Sequence, residues 1–146
     1  MRTFLLLLLT ACTLTAASAQ MTKPVSWAFS AEKVADGTFD VTISADIQNG
    51  WHVYSQFTPE GGPVPTSVTL DLGEKVHTAK ETGARSEHMD ELFGVEVIDF
   101  SETFTIEQRV KVPAGATVLT GTVEYMTCNG ESCLPPTEVP FTISLR

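Results

Sequence analysis

The sequence predicts an all-β domain of the immunoglobulin-like β-sandwich type. Two observations lead to this fold class: apolar and polar residues alternate in several short runs, and turn-forming residues separate those runs at short intervals. Helical periodicity is not convincing in any segment. Once an N-terminal export signal is set aside, the remaining chain is long enough for one domain with a real core and too short for two.

Residues 1–19 are predicted to be that export signal. They carry one positive charge, continue with the apolar run Leu5–Leu9 and end in small residues. Ala17-Ser18-Ala19 fits the cleavage pattern, which leaves residues 20–146 as the mature domain. The apolar run is shorter than the roughly 20 residues that a membrane span needs, so we expect no direct membrane insertion.

A second cleavage site is possible at Cys12, because Leu9-Thr10-Ala11-Cys12 resembles a lipobox and would leave Cys12 with a lipid anchor. The well-formed Ala-Ser-Ala site favours the ordinary signal over this alternative. Loss of the signal also removes Cys12 and leaves two cysteines, Cys128 and Cys133, in a compartment that permits disulfides.

The net charge is −9 and becomes −10 when Arg2 is removed with the signal. A charge of this sign argues against nucleic acid or an anionic membrane as partner. Solubility is a sufficient explanation for it.

Six alternating runs predict the strands in order along the chain. The clearest is Phe39–Ile47, in which five apolar residues alternate with four polar ones. The others are Val25–Phe29, Val68–Leu72, Phe104–Val112, Leu119–Tyr125 and Val139–Leu145. The turn formers between them are Asp36-Gly37, Asn49-Gly50, Gly61-Gly62-Pro63, Pro113 with Gly115, and Asn129-Gly130.

Two longer segments, Phe57–Thr66 and Thr78–Gly94, are predicted as loops, and loops on a rigid sandwich are where function usually lies. Between the strands, Trp51 and Tyr54 are predicted as core or rim aromatics. His52 alternates out of step with Trp51 and Val53, which predicts an exposed side chain.

Cys128 and Cys133 lie in one tight excursion between two predicted strands. Asn129-Gly130 supplies a turn that brings the two β-carbons near the roughly 4 Å separation that a disulfide requires, and Pro135-Pro136 stiffens the chain beyond it. Closure of so short a loop constrains the unfolded chain by only about 2 kcal/mol. The sequence therefore allows both a structural disulfide and a redox-active pair. The spacing does not say which sulfur is attacked first.

The segment Asp90-Glu91-Leu92-Phe93-Gly94 offers candidate neighbours for the sulfurs. Asp90 and Glu91 are candidates to accept a proton or to raise a thiol pKa by repulsion; the alternative is that water simply solvates them. Leu92 and Phe93 are candidates for a lid over the sulfurs, with ordinary loop anchoring as the alternative.

A soft-metal site is a weaker hypothesis. It would use Cys128, Cys133 and Met126 as Cu(I) ligands. The available histidines are His52, His77 and His88. None of them lies at a ligand-like spacing from the cysteines, so we expect no metal and no cofactor.

Three segments resemble, in the same order, the periplasmic N-terminal (alpha) domain of DsbD-type thiol:disulfide interchange reductases. They are Gly50–Tyr54, Asp90–Gly94 and the cysteine segment Cys128–Pro136, within a match from Val25 to Leu145. The resemblance implies an immunoglobulin-like sandwich with a cap loop, Asp90–Gly94, over a cysteine pair that shuttles between dithiol and disulfide. Four residues separate the cysteines, one fewer than in the best-known members, and Leu92-Phe93 replaces an aromatic pair.

The resemblance also implies a function, that of a protein-disulfide reductase type of oxidoreductase domain. Electrons would pass from a separate membrane-embedded thiol reductase to periplasmic thioredoxin-fold proteins used in disulfide isomerisation and cytochrome c maturation. The competing hypothesis is a non-enzymatic secreted binding module that docks a partner through its loops and holds an inert structural disulfide.

Overall fold

The computed structural model describes residues 23–146, so the predicted export signal and the alternative anchor at Cys12 lie outside the described residues. The described chain is all β. Its nine strands are β1 (Val25–Ala35), β2 (Thr38–Ile47), β3 (His52–Tyr54), β4 (Ser67–Leu70), β5 (Glu74–Lys75), β6 (Lys80–Asp90), β7 (Val95–Lys111), β8 (Val118–Cys128) and β9 (Cys133–Ser144). Over this range no helix is long and apolar enough to cross a membrane.

All strand pairs are antiparallel and belong to one sheet that curls into two facing layers. One layer contains β1, β2 and the second half of β7, and the other contains β4, β8 and β9. The long strand β7 joins them, because its first half pairs with β3 and its second half with β2. Glu102, with a φ of 60°, marks the change between the two halves. The result is the predicted immunoglobulin-like sandwich.

The core lies between the layers and consists of the residues that the alternating runs predict. In β2 every apolar residue of the run Phe39–Ile47 is buried. Aromatic contacts join the layers: Phe29 of β1 stacks on Phe141 of β9, with ring centroids 4.7 Å apart. Trp27 meets Tyr125 of β8 edge-on, with centroids 5.2 Å apart. Such pairs add about 0.5–1.5 kcal/mol to the stabilisation from burial.

The prediction of a loop from Thr78 to Gly94 is wrong, because Lys80–Asp90 is an eleven-residue strand. This strand pairs along its whole length with β7 and with no second strand in the described structure. Nearly all its side chains are exposed or half-exposed. Polar and charged residues are typical of such edge strands, and they remove the alternation by which a strand is recognised. Leu72 also lies beyond β4 and is exposed.

Candidate functional site

Cys128 and Cys133 form a disulfide at the end of the β8–β9 hairpin. Cys128 is the last residue of β8 and lies opposite Cys133, the first of β9, with α-carbons 4.1 Å apart. The Asn129 N–H donates to the Ser132 carbonyl at 3.0 Å, and the Asn129 side chain accepts from the Ser132 N–H at 2.9 Å. Gly130 supplies the positive φ of 83°. The predicted turn is confirmed.

Pro135 and Pro136 lie where the pairing of β8 and β9 is irregular. Tyr125 is opposite Thr137 and Thr127 is opposite Leu134, so two prolines face the single residue Met126. Proline has no N–H to give to a sheet, and a bulge is one of the few strand positions that tolerate it. The bulge holds the start of β9, and with it Cys133, in a fixed place.

The two cysteines belong to a small apolar cluster on the outer face of the sheet, separate from the main core. We call this group the sulfur cluster: its buried members are Tyr54, Val97 and Cys128, and Phe93, Val95, Met126 and Cys133 pack against them. Cys128 has no exposed surface, whereas Cys133 is half-buried. The outer face of a sandwich normally meets water, so this cluster needs a cover.

The first part of the cover is the cap loop predicted from the sequence. The Asp90 carboxylate accepts the N–H groups of Leu92 at 2.8 Å and Phe93 at 3.2 Å, and the Gly94 N–H donates to the Asp90 carbonyl at 2.7 Å. This tight turn lays Phe93 on the sulfur cluster. Leu92 is 51% exposed and does not pack on the sulfur cluster, and Glu91 is also exposed.

The second part of the cover is the Gly- and Pro-rich loop Phe57–Thr66. A β-carbon on Gly62 would lie 2.5 Å from the side chain of Val95, which is too close for any other residue to fit without movement. The Val64 N–H donates to the sulfur of Met126 at 3.4 Å. Two loops that are far apart in sequence therefore contact the same sulfur cluster.

A chain of polar contacts runs from the cap loop to His52, which lies opposite Cys128 in the β3–β8 pair. The Tyr54 hydroxyl donates to the Asp90 carboxylate at 3.2 Å, and His52 Nε2 lies 3.1 Å from the same hydroxyl. Burial, together with the charge of Asp90, raises the pKa of Tyr54, so the hydroxyl stays protonated. Tyr54 is buried, as predicted, but its side chain belongs to the sulfur cluster and not to the main core.

The prediction that His52 is exposed is wrong, because its ring packs edge-on against the ring of Tyr54, with ring centroids 5.3 Å apart. It is half-buried, and its strand position lies directly opposite Cys128. Burial lowers the pKa of His52, although the charges of Asp99 and Asp90 oppose this effect. An Asp99 carboxylate oxygen lies 3.7 Å from His88 Nε2. Burial raises the pKa of the Asp99 carboxyl.

Comparison with known proteins places the chain in a family. The family described as "Thiol:disulfide interchange protein DsbD, N-terminal" matches residues 18–144. The chain belongs to this family. No curated protein matches the sequence.

Solved structures of DsbD N-terminal domains and of a related domain share the fold. The N-terminal periplasmic domain of ScsB from Proteus mirabilis has a TM-score of 0.60 at 17% identity over 85% of this chain, which spans 49% of that one. The DsbD N-terminal domain from Neisseria meningitidis, in its reduced form, has a TM-score of 0.53 at 20% identity, covering 76% of this chain and 79% of that one. A complex of the DsbD and PilB N-terminal domains from the same organism has a TM-score of 0.52 at 16% identity. The match covers 81% of this chain and 80% of that one.

The three histidines of the domain lie in different surroundings. His52 lies opposite Cys128, His88 lies near Asp99, and His77 belongs to a polar groove lined also by Asp40 and Arg109. Within residues 23–146 no group of three or more His, Cys, Asp or Glu side chains is arranged to hold a metal ion. The geometry gives no support to the soft-metal hypothesis.

Proposed function

We propose that this domain carries electrons between periplasmic proteins by reversible opening of the Cys128–Cys133 disulfide. The observation that carries the proposal is the position of the disulfide. It joins two neighbouring strands that are already paired, on the outer face, under loops. A structural disulfide would stabilise the fold more if it linked distant parts of the chain. Membership of the DsbD N-terminal family supports the same reading.

The difference in burial supports different roles for the two sulfurs. Cys133 is half-buried and Cys128 is not exposed at all, so a partner thiolate would reach Cys133. That attack forms a mixed disulfide with Cys133, breaks the S–S bond and leaves the bonding electrons on Cys128. The second thiolate of the partner then displaces Cys133. The partner dithiol is oxidised to a disulfide, and the domain gains two electrons and two protons.

The cap controls access to this reaction. Phe93 packs on the sulfur cluster, and attack on Cys133 requires a clear line to the S–S bond, so the cap opens when a partner docks. The cap is fastened mainly by hydrogen bonds to the one carboxylate of Asp90. Loops with few anchoring contacts open locally at small free-energy cost.

The donor in this proposal is a separate membrane-embedded thiol reductase, and the acceptors are thioredoxin-fold proteins of disulfide isomerisation and cytochrome c maturation. The domain then acts as a thiol:disulfide oxidoreductase of the protein-disulfide reductase type. A structure of a related DsbD N-terminal domain in complex with a domain of another protein supports docking of this kind.

Equilibrium titration against glutathione mixtures tests the proposal, with the two cysteines quantified by alkylation and mass spectrometry. We expect a reduction potential between about −270 and −120 mV, the range of known exchange proteins. A potential below about −300 mV would mark a structural bridge and favour the binding module. A Cys128→Ser, Cys133→Ser double variant is the control and should show no exchange.

A further inference from the structure

The burial of Cys128 creates a difficulty for proton transfer in the proposed exchange, on which this inference rests. When the disulfide opens, Cys128 leaves as a thiolate, and before the disulfide closes again the Cys128 thiol must lose its proton. Cys128 has no exposure to water, and apolar surroundings disfavour the charged thiolate. A neighbour that takes up and returns this proton would remove the difficulty.

His52 occupies the strand position next to Cys128. In the antiparallel pair β3–β8 it lies directly opposite Cys128, and in β8–β9 Cys128 lies opposite Cys133. Directly opposite residues project from the same face, with β-carbons about 5 Å apart. His52, Cys128 and Cys133 therefore form one row across three strands.

The ring of His52 is suited to proton exchange. It is half-buried, so it meets both the sulfur cluster and water, and Nε2 is held 3.1 Å from the Tyr54 hydroxyl. The titratable groups around it are Tyr54 of β3, His88 and Asp90 of β6, Asp99 of β7, and the cysteines of β8 and β9. Because burial lowers its pKa, the imidazole is neutral near pH 7 and free to accept a proton.

We propose that His52 exchanges the proton of Cys128 each time the disulfide opens or closes. In the closing direction the reduced domain has formed a mixed disulfide between Cys133 and an acceptor. His52 takes the proton from the Cys128 thiol, and the resulting thiolate attacks the sulfur of Cys133. The acceptor sulfur leaves with the bonding electrons, so the acceptor is reduced and the cysteine pair oxidised. In the opening direction, His52 protonated from solvent returns the proton to Cys128.

Rapid mixing of the reduced protein with oxidised glutathione, from pH 5 to 9, separates the two steps. Acid quenching and mass spectrometry follow formation of the mixed disulfide at Cys133 and its closure by Cys128. We expect wild-type closure to rise with pH through an inflection below the ordinary thiol pKa of about 8.5. In His52→Gln the inflection moves to that value or higher, closure at pH 7 slows at least about tenfold, and formation of the mixed disulfide is unchanged.

Two further variants separate proton transfer from packing. His52→Phe keeps an aromatic ring without a titratable group and should match His52→Gln. His77→Gln changes an exposed histidine outside the sulfur cluster and should match wild type. The role of His52 is overturned if the closure rate of His52→Gln depends on pH as in wild type. It is also overturned if His52→Gln slows mixed-disulfide formation and closure equally. Absence of both the mixed disulfide and the closed Cys128–Cys133 pair in wild type would instead overturn the proposed function.

Discussion

The two apolar clusters of this domain are built in different ways. The main core has nineteen buried residues and lies between two layers of paired strands. The sulfur cluster has three buried residues on an outer face, covered by the cap loop and by Phe57–Thr66. Paired strands cover the main core, so it is exposed only when the domain unfolds. A cover made of loops can open locally while the rest of the domain stays folded. The first cluster holds the fold together, and in the proposed function the second gives the cysteines a surrounding that a partner can open.

The largest expected effect follows from the unequal sulfurs. Cys133→Ser should abolish exchange with a thioredoxin-fold protein, because it removes the accessible sulfur, and should cost at most about 2 kcal/mol of stability. Cys128→Ser should instead accumulate a stable mixed disulfide at Cys133, since no second thiol remains to resolve it. Non-reducing gels with mass spectrometry distinguish the two. Mixed disulfides that accumulate at Cys128 in the Cys133→Ser variant would reverse the assignment.

Truncation in the main core should damage stability and leave the chemistry of the sulfurs alone. Phe104 is fully buried and stacks on Phe100, with ring centroids 4.3 Å apart. Phe104→Ala should lower the free energy of unfolding by about 3–5 kcal/mol, as measured by denaturant titration. Its native fraction should keep the wild-type reduction potential. A shifted potential would show that the two clusters are coupled.

Truncation in the cap loop should change the reactivity of the disulfide and leave stability nearly unchanged. Phe93→Ala should accelerate reduction of the disulfide by dithiothreitol about tenfold, as expected if the cap costs about 1.4 kcal/mol to open. Leu92→Ala is the matched control, because Leu92 is 51% exposed and does not pack on the sulfur cluster. Its reduction rate should equal wild type. Equal acceleration by both variants would mean that the whole cap, and not the Phe93 ring, provides the shield.

The smallest expected effect is on the pH dependence of stability. Two titratable groups near the sulfurs, His52 and Asp99, change the free energy of unfolding in opposite directions as pH rises. Burial lowers the pKa of His52, so the unfolded chain binds more protons below its usual value of 6.5 and stability falls as pH drops through that range. Burial raises the pKa of Asp99, so stability falls as pH rises from 3.8. In denaturant titrations of the oxidised protein, His52→Gln should remove the first dependence and Asp99→Asn the second. Unchanged profiles would place both groups in water.

The main core was predictable because one local rule decides it. In Phe39–Ile47 each apolar residue lies two positions from the next, and burial follows that period without exception. The cysteine hairpin was predictable for a similar reason, since Asn129 and Gly130 supply the turn within the segment itself.

The cover of the sulfur cluster could not be predicted in the same way. In Lys80–Asp90 the side chains are polar on both faces, so nothing marks a strand. His52 and Tyr54 occupy the face that meets water in an ordinary sandwich. Asp90, 36 residues beyond Tyr54, accepts a hydrogen bond from the Tyr54 hydroxyl, and the His52 ring packs against Tyr54. A contact across that distance leaves no trace in the local pattern.

In the proposed function, the hairpin that carries the cysteines sets a condition on how partners recognise the domain. Cys128 and Cys133 occupy paired backbone positions, and the hydrogen bonds of Asn129 that close the turn do not involve sulfur. The backbone is therefore expected to be the same whether or not the domain is loaded with electrons. A partner that must choose between donor and acceptor forms has no difference in overall shape to read. Its discrimination must come from the reactivity of the half-buried Cys133 sulfur and from how readily the cap loop moves aside.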